Sequence, residues 1–318
     1  MECGESIHDR SSSTRIIIMN YFAITEPPSK KFVRLTLEKM GWGPEDFKKF
    51  SHHKHSGEDF LSISKKYPIF AVGDGVTLIQ YLLEKKEYPN PSPAGEVAKI
   101  FCDSVIREAE CRYKNFSENN TLEVFEYANG TVRKYNEKNG RTNDSVDYWW
   151  NDFYASTGAF VVIKENWVYW ASICDSYVLH FDGNGMCKFK SPECNSFEEA
   201  AAPQYDRALN DPIAKAQYTW RYKRNGINAE RKKVGYGVIT GELNANLYLA
   251  KGGFKVESGD LILVITDGFE KYIEIPEFIS ILNKSNFSEE EFVKFTAGKV
   301  EEDPNKFGHE RTIIAIRI

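Results

Sequence analysis

The chain has 318 residues, with 41 lysines and arginines against 46 aspartates and glutamates, a net charge of −5. That balance argues against nucleic acid or an anionic membrane surface as partner, because both select for a basic face. Hydrophobic residues at 42% and charged residues at 27% describe a globular chain with a real core and exclude collagen-like or wholly disordered readings.

In chain order, residues 1–49 read as an N-terminal extension of unknown role. An apolar segment, Ile16–Ile24, is followed by Pro27-Pro28 opening a helix over Ser29–Met40, with Phe32, Leu35 and Leu37 at amphipathic spacing. From residue 50 the pattern turns to strands, at Asp59–Ser64 and at the apolar run Tyr67–Val72. Helices follow at Thr77–Lys86 and Ala94–Tyr113, either side of a proline-rich turn. Residues 114–150 are polar, and their Asn129-Gly130 and Asn139-Gly140 pairs predict a strand-and-loop excursion. Strands Ala159–Ile163, Trp167–Ile173, Tyr177–Phe181 and Met186–Lys190 form an antiparallel meander, the last two joined by the hairpin sequence Asp182-Gly183-Asn184-Gly185. A helix near Pro212–Arg224, strands Tyr236–Thr240 and Leu261–Ile265, helices Ile275–Leu282 and Ser288–Lys299, and a strand Thr312–Ile318 complete the pattern.

Apolar stretches such as Ile16–Met19 and Leu261–Ile265 fall far short of the roughly 18 residues of a membrane span. The acidic first residues lack the basic flank of a signal peptide, so a cytoplasmic protein, monomeric and without a membrane partner, is expected. The cysteines include no Cys-x-x-Cys pair and read as reduced thiols rather than a zinc or disulfide framework.

Three apolar strands run directly into an aspartate: Tyr67–Val72 into Asp74-Gly75, Trp167–Ile173 into Asp175-Ser176, and Leu261–Ile265 into Asp267-Gly268. Asp-Gly is a favoured turn dipeptide, and each aspartate taken alone could be a turn. However, neither Asp74 nor Asp267 is followed by a second strand at hairpin distance. If those strand ends converge, the carboxylates form an oxygen-rich site suited to Mg²⁺ or Mn²⁺.

These residues resemble the metal-dependent, type 2C (PPM) family of Ser/Thr protein phosphatases, over residues 50–318. Gly57-Glu58-Asp59 is similar to the family's early Glu-Asp motif, and Phe70-Ala71-Val72-Gly73-Asp74-Gly75 to its Asp-Gly metal motif. Asp152 to Gly158 is similar to its Gly-Ser-Thr-Ala segment, Cys174-Asp175-Ser176 to its Gly-Asp-Ser-Arg, and Ser258 to Gly268 to its second metal Asp-Gly. His309-Glu310-Arg311-Thr312 stands where the family has Asp-Asp or Asp-Asn ahead of a Thr or Ser.

The resemblance implies an α+β fold, a four-layer α-β-β-α sandwich of two antiparallel sheets flanked by helix pairs. It also implies a phosphoprotein substrate hydrolysed by a hydroxide bridging two Mn²⁺ or Mg²⁺ ions. Asp74 would bridge the ions with the Gly75 carbonyl, Asp267 would bind the first, Glu58 or Asp59 the second, and Asp152 a third. Lys54 stands in the place of a phosphate-gripping arginine, supplying charge without the bidentate fork. His309, with Glu310 beside it, replaces a closing metal aspartate, which weakens the attraction for a hard dication. The alternative is a pseudophosphatase that keeps the fold and acts as a binding or regulatory module.

Overall fold

The computed structural model describes residues 20–51, 57–193, 211–284 and 287–318. The chain runs β1 (Asn20–Glu26), α1 (Lys30–Lys39), α2 (Pro44–Ser51), β2 (Asp59–Ile63), β3 (Ile69–Gly75), α3 (Ile79–Leu83), α4 (Pro93–Arg112) and α5 (Glu118–Lys138). Then come β4 (Ser156–Lys164), β5 (Trp167–Ile173), β6 (Tyr177–Phe181), β7 (Cys187–Lys190) and α6 (Pro212–Tyr222). After it lie β8 (Gly226–Ile227), β9 (Lys233–Val234), β10 (Ala250–Lys255), β11 (Leu261–Ile265), α7 (Pro276–Leu282), α8 (Glu289–Glu302), α9 (Pro304–Phe307) and β12 (Arg311–Arg317).

Two five-stranded antiparallel sheets, ordered β1-β12-β11-β6-β7 and β10-β5-β4-β3-β2, pack face to face. The four layers follow from strand alternation, since successive side chains point to opposite faces. Ile69 and Ala71 of β3 enter a core with Phe101, Val105, Phe125 and Val132 of α4 and α5. The intervening Phe70 and Val72 enter the core between the sheets, with Val161, Ile262, Val264 and Ile314. On the other sheet, Leu263, Ile265 and Ile313 face Phe278 of α7 and Phe292 of α8. A strand apolar on both faces is therefore the signature of this architecture, and β3, β4, β11 and β12 all carry it.

Helix starts are written locally. Ser29 Oγ accepts from the Phe32 amide at 3.1 Å. Ser92 caps α4 with Pro93 at its first position, Ser117 and Asn120 form a capping box for α5, and Asp211 and Ser288 cap α6 and α8.

Three expectations are corrected. Residues 20–49 do not stand apart from the domain: β1 pairs with β12 along its whole length, from Asn20 opposite Arg317 to Glu26 opposite Arg311. Trp42 donates its indole N–H to the Leu82 carbonyl at 2.7 Å, within a cluster that also holds Leu37 and Tyr88. The excursion predicted at 114–150 is mainly the helix α5. Asn129 lies inside it, buried, donating to the Glu242 carbonyl and accepting from the Gly241 amide, so a side-chain partner outweighs the turn preference of Asn-Gly. The strand expected over Tyr236–Thr240 is an irregular stretch that meets β4 in an isolated bridge between Ser156 and Ile239.

Candidate active site

Both sheets deliver acidic residues to one edge of the sandwich. Asp59 opens β2 directly opposite Asp74 at the end of β3. Asp175 follows β5, Asp267 follows β11, and Glu310 precedes β12. The Asp-Gly pairs that end β3 and β11 are close-packing sites rather than hairpin turns. A Cβ on Gly75 would lie 2.6 Å from the Ala94 carbonyl carbon, in the first turn of α4. A Cβ on Gly268 would collide with the Glu310 carbonyl and with Arg311. Glycine at these two positions lets α4 and the entry to β12 approach, which brings Glu310 alongside Asp267.

The inner end of the site is buried and partly wired. Thr312 donates its amide to Thr266 Oγ1 at 2.8 Å, and that hydroxyl donates to Asp59 Oδ2 at 2.8 Å. Glu310 Oε1 accepts from the Asp59 amide at 3.0 Å. Asp59 Oδ1 and Asp175 Oδ1 are buried with no hydrogen-bond partner. Burial, opposed by the threonine hydroxyls, pushes Asp59 up to about 7. Burial and then the charges of Asp59, Asp267 and Asp175 push Asp74 well above the ordinary carboxylate range. Burial, then the charge of Asp175, pushes Asp267 up to about 7. Asp74 and Asp267 thus sit within one electrostatic neighbourhood, and they line a common cavity of about 290 Å³ with Gly75, His309 and Glu310. A second cleft, about 560 Å³, runs from Asp74 and Asp175 past Thr157 to Asp152, Trp220, Arg224 and Tyr236.

The other expected site residues are placed differently. Glu58 is fully buried and lines the same cavity as Asp74 and Asp267, with its carboxylate engaged by three hydroxyls. It accepts from Tyr88 Oη at 2.6 Å, Thr77 Oγ1 at 2.8 Å and Ser92 Oγ, beside the N-terminus of α4. Asp59, the first residue of β2, meets Thr266 and stands opposite Asp74. Asp152 holds Arg224 through both carboxylate oxygens, one at 2.9 Å from Nη1 and the other on Nη2. A third ion there would have to displace a buried guanidinium. The His309 imidazole lies tilted against the Phe32 ring, centroids 4.1 Å apart, and bonds through Nε2 to the Asn305 carbonyl; burial holds its pKa below the usual value. Lys54 lies outside the described residues. Asp175, recognised in the sequence as an aspartate at a strand end but given no site role, belongs to the cluster.

Oxygen-only donors, an excess of negative charge and orphaned buried oxygens on Asp59 and Asp175 fit a hard divalent cation in chemistry. Among the described residues, no three His, Cys, Asp or Glu side chains are grouped tightly enough to cage an ion as they stand. Nor does any described helix have the length and apolarity to cross a membrane.

Two stacked antiparallel sheets between helical layers are an arrangement this chain shares with solved serine/threonine phosphatase structures. Among solved structures, the Mycobacterium tuberculosis serine/threonine phosphatase PstP/Ppp is 10% identical, with a TM-score of 0.55, covering 94% of this chain and 98% of that one. The PstP catalytic domain in complex with two manganese ions gives 11% identity and a TM-score of 0.51, covering 94% and 97%. Stp1 from Staphylococcus aureus gives 13% and 0.53, covering 95% of each chain. At such identities the likeness establishes the fold. No family model matches the sequence, and no curated protein matches it.

Proposed function

We propose that the chain is a metal-dependent phosphomonoesterase acting on phosphoserine or phosphothreonine in proteins. The observation that carries this reading is the gathering of Asp59, Asp74, Asp175, Asp267 and Glu310 from both sheets at one end of the sandwich. Supporting it are structures of the same fold titled as serine/threonine phosphatases, one of them holding two manganese ions. Asp74, Asp267, Asp175 and Glu310, with Asp59 behind them, are the residues that would hold such ions. Bound divalent ions supply neutralising charge for a phosphoryl group and lower the pKa of water.

The protein's own contribution is positional. The Thr312–Thr266–Asp59 chain fixes Asp59 against Asp74, and Glu310 is oriented by the Asp59 amide. The net reaction forms a bond from water oxygen to phosphorus, breaks the bond from phosphorus to the serine or threonine oxygen, and returns a proton to the released alcohol. Stabilising charge on the transferring group is the main requirement, and it needs no covalent intermediate.

Mn²⁺-dependent hydrolysis of p-nitrophenyl phosphate, lost in Asp74→Asn and in Asp267→Asn, is the expected result. Activity unchanged by both substitutions would remove the site. Calorimetry showing no divalent-ion binding would turn the reading to a regulatory module on the same fold.

A further inference from the structure

The segment from Asp211 to Gly235, which contains α6, β8 and β9, carries seven lysines and arginines against Asp211 and Glu230, a net of +5 in a chain whose net charge is −5. It is a fixed arm. Arg224 is buried on Asp152. Asn225 accepts from the Val238 amide at 2.8 Å and donates to Thr240 and Glu242. Gln217 donates to the Asp147 carbonyl at 3.0 Å. These bonds hold the arm along the larger cleft, where Trp220 forms part of the wall facing Asp74 and Asp175. Trp220 stacks on Trp149 with ring centroids 5.7 Å apart, and Trp149 is held in turn by its indole bond to Glu84 at 2.9 Å. Trp150, beside that pair, is 41% exposed and has Lys86 over its ring. Arg224 is neutralised by Asp152, whereas Lys215, Arg221, Arg231 and Lys232 are exposed, Lys232 beside Glu230 at 3.1 Å.

We propose that this arm is a docking surface for acidic phosphopeptides: aspartates and glutamates flanking the phosphorylated residue lie on its exposed cations, and Trp220, backed by the buried Trp149, supports the peptide beside the cleft. The inference rests on the phosphatase reading and adds to it the substrate class. The physical reason is charge complementarity: a fixed cationic arm along the cleft draws an acidic peptide in and orients it. Exposed pairs contribute little one at a time, so the effect belongs to the set.

The test uses the full chain with Mn²⁺, comparing phosphoserine peptides with acidic and with basic flanks against p-nitrophenyl phosphate. Wild type should prefer the acidic peptide, with a preference that shrinks as salt rises, because exposed charges are screened. In a K215E/R221E/R231E/K232E variant, the ratio of kcat/KM for the acidic peptide to that for p-nitrophenyl phosphate should fall about tenfold, equivalent to about 1.4 kcal/mol. Equal turnover of the two peptides by wild type, or an unchanged ratio in the variant, overturns the proposal; the wild-type preference and its salt dependence decide if the variant does not fold. Binding is followed separately by fluorescence anisotropy of a labelled acidic phosphopeptide. Salt-sensitive binding without hydrolysis of any substrate supports the surface and overturns the phosphatase reading. Hydrolysis of p-nitrophenyl phosphate without such binding overturns the surface alone. Displacement of the peptide by a single-stranded oligonucleotide or by phosphatidylserine vesicles, more readily than by unlabelled acidic peptide, also overturns it.

Discussion

Removing one charge from the acidic cluster should stabilise the metal-free protein. Asp267 rises from 3.8 to about 7 in the folded state, chiefly through burial and then through Asp175. At about 1.4 kcal/mol per pKa unit this is at most about 4 kcal/mol of folding free energy lost once the group ionises. Asp267 is partly exposed, so solvent screening reduces the cost to roughly 2–4 kcal/mol. The sign is fixed by proton linkage. Between pH 3.8 and about 7 the folded state binds more protons at this site than the unfolded state. Stability therefore falls as pH rises through that window, and the cost is constant above it. Asp267→Asn lacks the charge and can still accept a hydrogen bond. In EDTA at pH 8, differential scanning fluorimetry should give the variant a Tm higher than wild type by roughly 4–8 °C, at about 2 °C per kcal/mol for a chain of this size. The gap should narrow as pH is lowered and close near pH 4. Saturating Mn²⁺ should raise the wild type and leave the variant little changed. A variant less stable than wild type in EDTA, by an amount independent of pH, would show that Asp267 is a structural hydrogen-bonding residue and would refute the uncompensated-charge argument.

Glu58→Ala should lower stability by roughly 2–4 kcal/mol in EDTA, because it removes the buried carboxylate that accepts from Tyr88, Thr77 and Ser92. Asp59→Asn should instead weaken Mn²⁺ binding while stability in EDTA is kept, and calorimetry beside a thermal melt separates the two roles. Arg224→Met leaves Asp152 buried without its cation and should cost roughly 3–5 kcal/mol; Asp152→Asn added to it should restore part of that loss in urea unfolding, and no restoration would argue against the pair. Gly158→Ala would drive a methyl group into the buried Phe101 ring and to 3.0 Å from the Val72 carbonyl, with an expected loss of roughly 1–3 kcal/mol. A melt within 1 °C of wild type, against the roughly 2 °C per kcal/mol expected, would mean that α4 rides less tightly on β4 than the structure has it.

The parts of the fold visible in the sequence are those whose signal is local. Leu261–Ile265 and Trp167–Ile173 were legible to the residue because a strand covered on both faces has no polar alternation to blur its ends. The helix α5 was misread because two Asn-Gly pairs outweighed Val124, Phe125, Ala128 and Val132, whose spacing of three and four is helical. What stabilises Asn129 inside that helix is a contact 113 residues away. The strand β1 looked like part of an appendage because its only sheet partner, β12, lies at the other end of the chain. The same limit governs the site. Three strand-end aspartates could be read off one by one, but Asp59 meets Thr266 across 207 residues and Arg224 meets Asp152 across 72.

A sheet's strands all end at its two edges, so stacking two antiparallel sheets brings residues remote in sequence to one rim without any local motif specifying it. Asp59 illustrates the consequence. It belongs to one sheet, yet its carboxylate takes its hydrogen bond from Thr266, just after β11, and its amide donates to Glu310, just before β12, both strands of the other sheet. Sheet-to-sheet packing by Val72, Val161, Ile262 and Ile314 therefore sets the distance between the charges. Each of those side chains contributes roughly 1.5–3 kcal/mol on burial, and a few of them together outweigh the cost of burying and crowding the Asp267 charge estimated above. The core can hold like charges together that would separate in a softer frame. It follows that shrinking the inter-sheet core, as in Ile314→Ala, should loosen the acidic cluster as well as the fold. Divalent-ion affinity should fall even though no ligating group has changed.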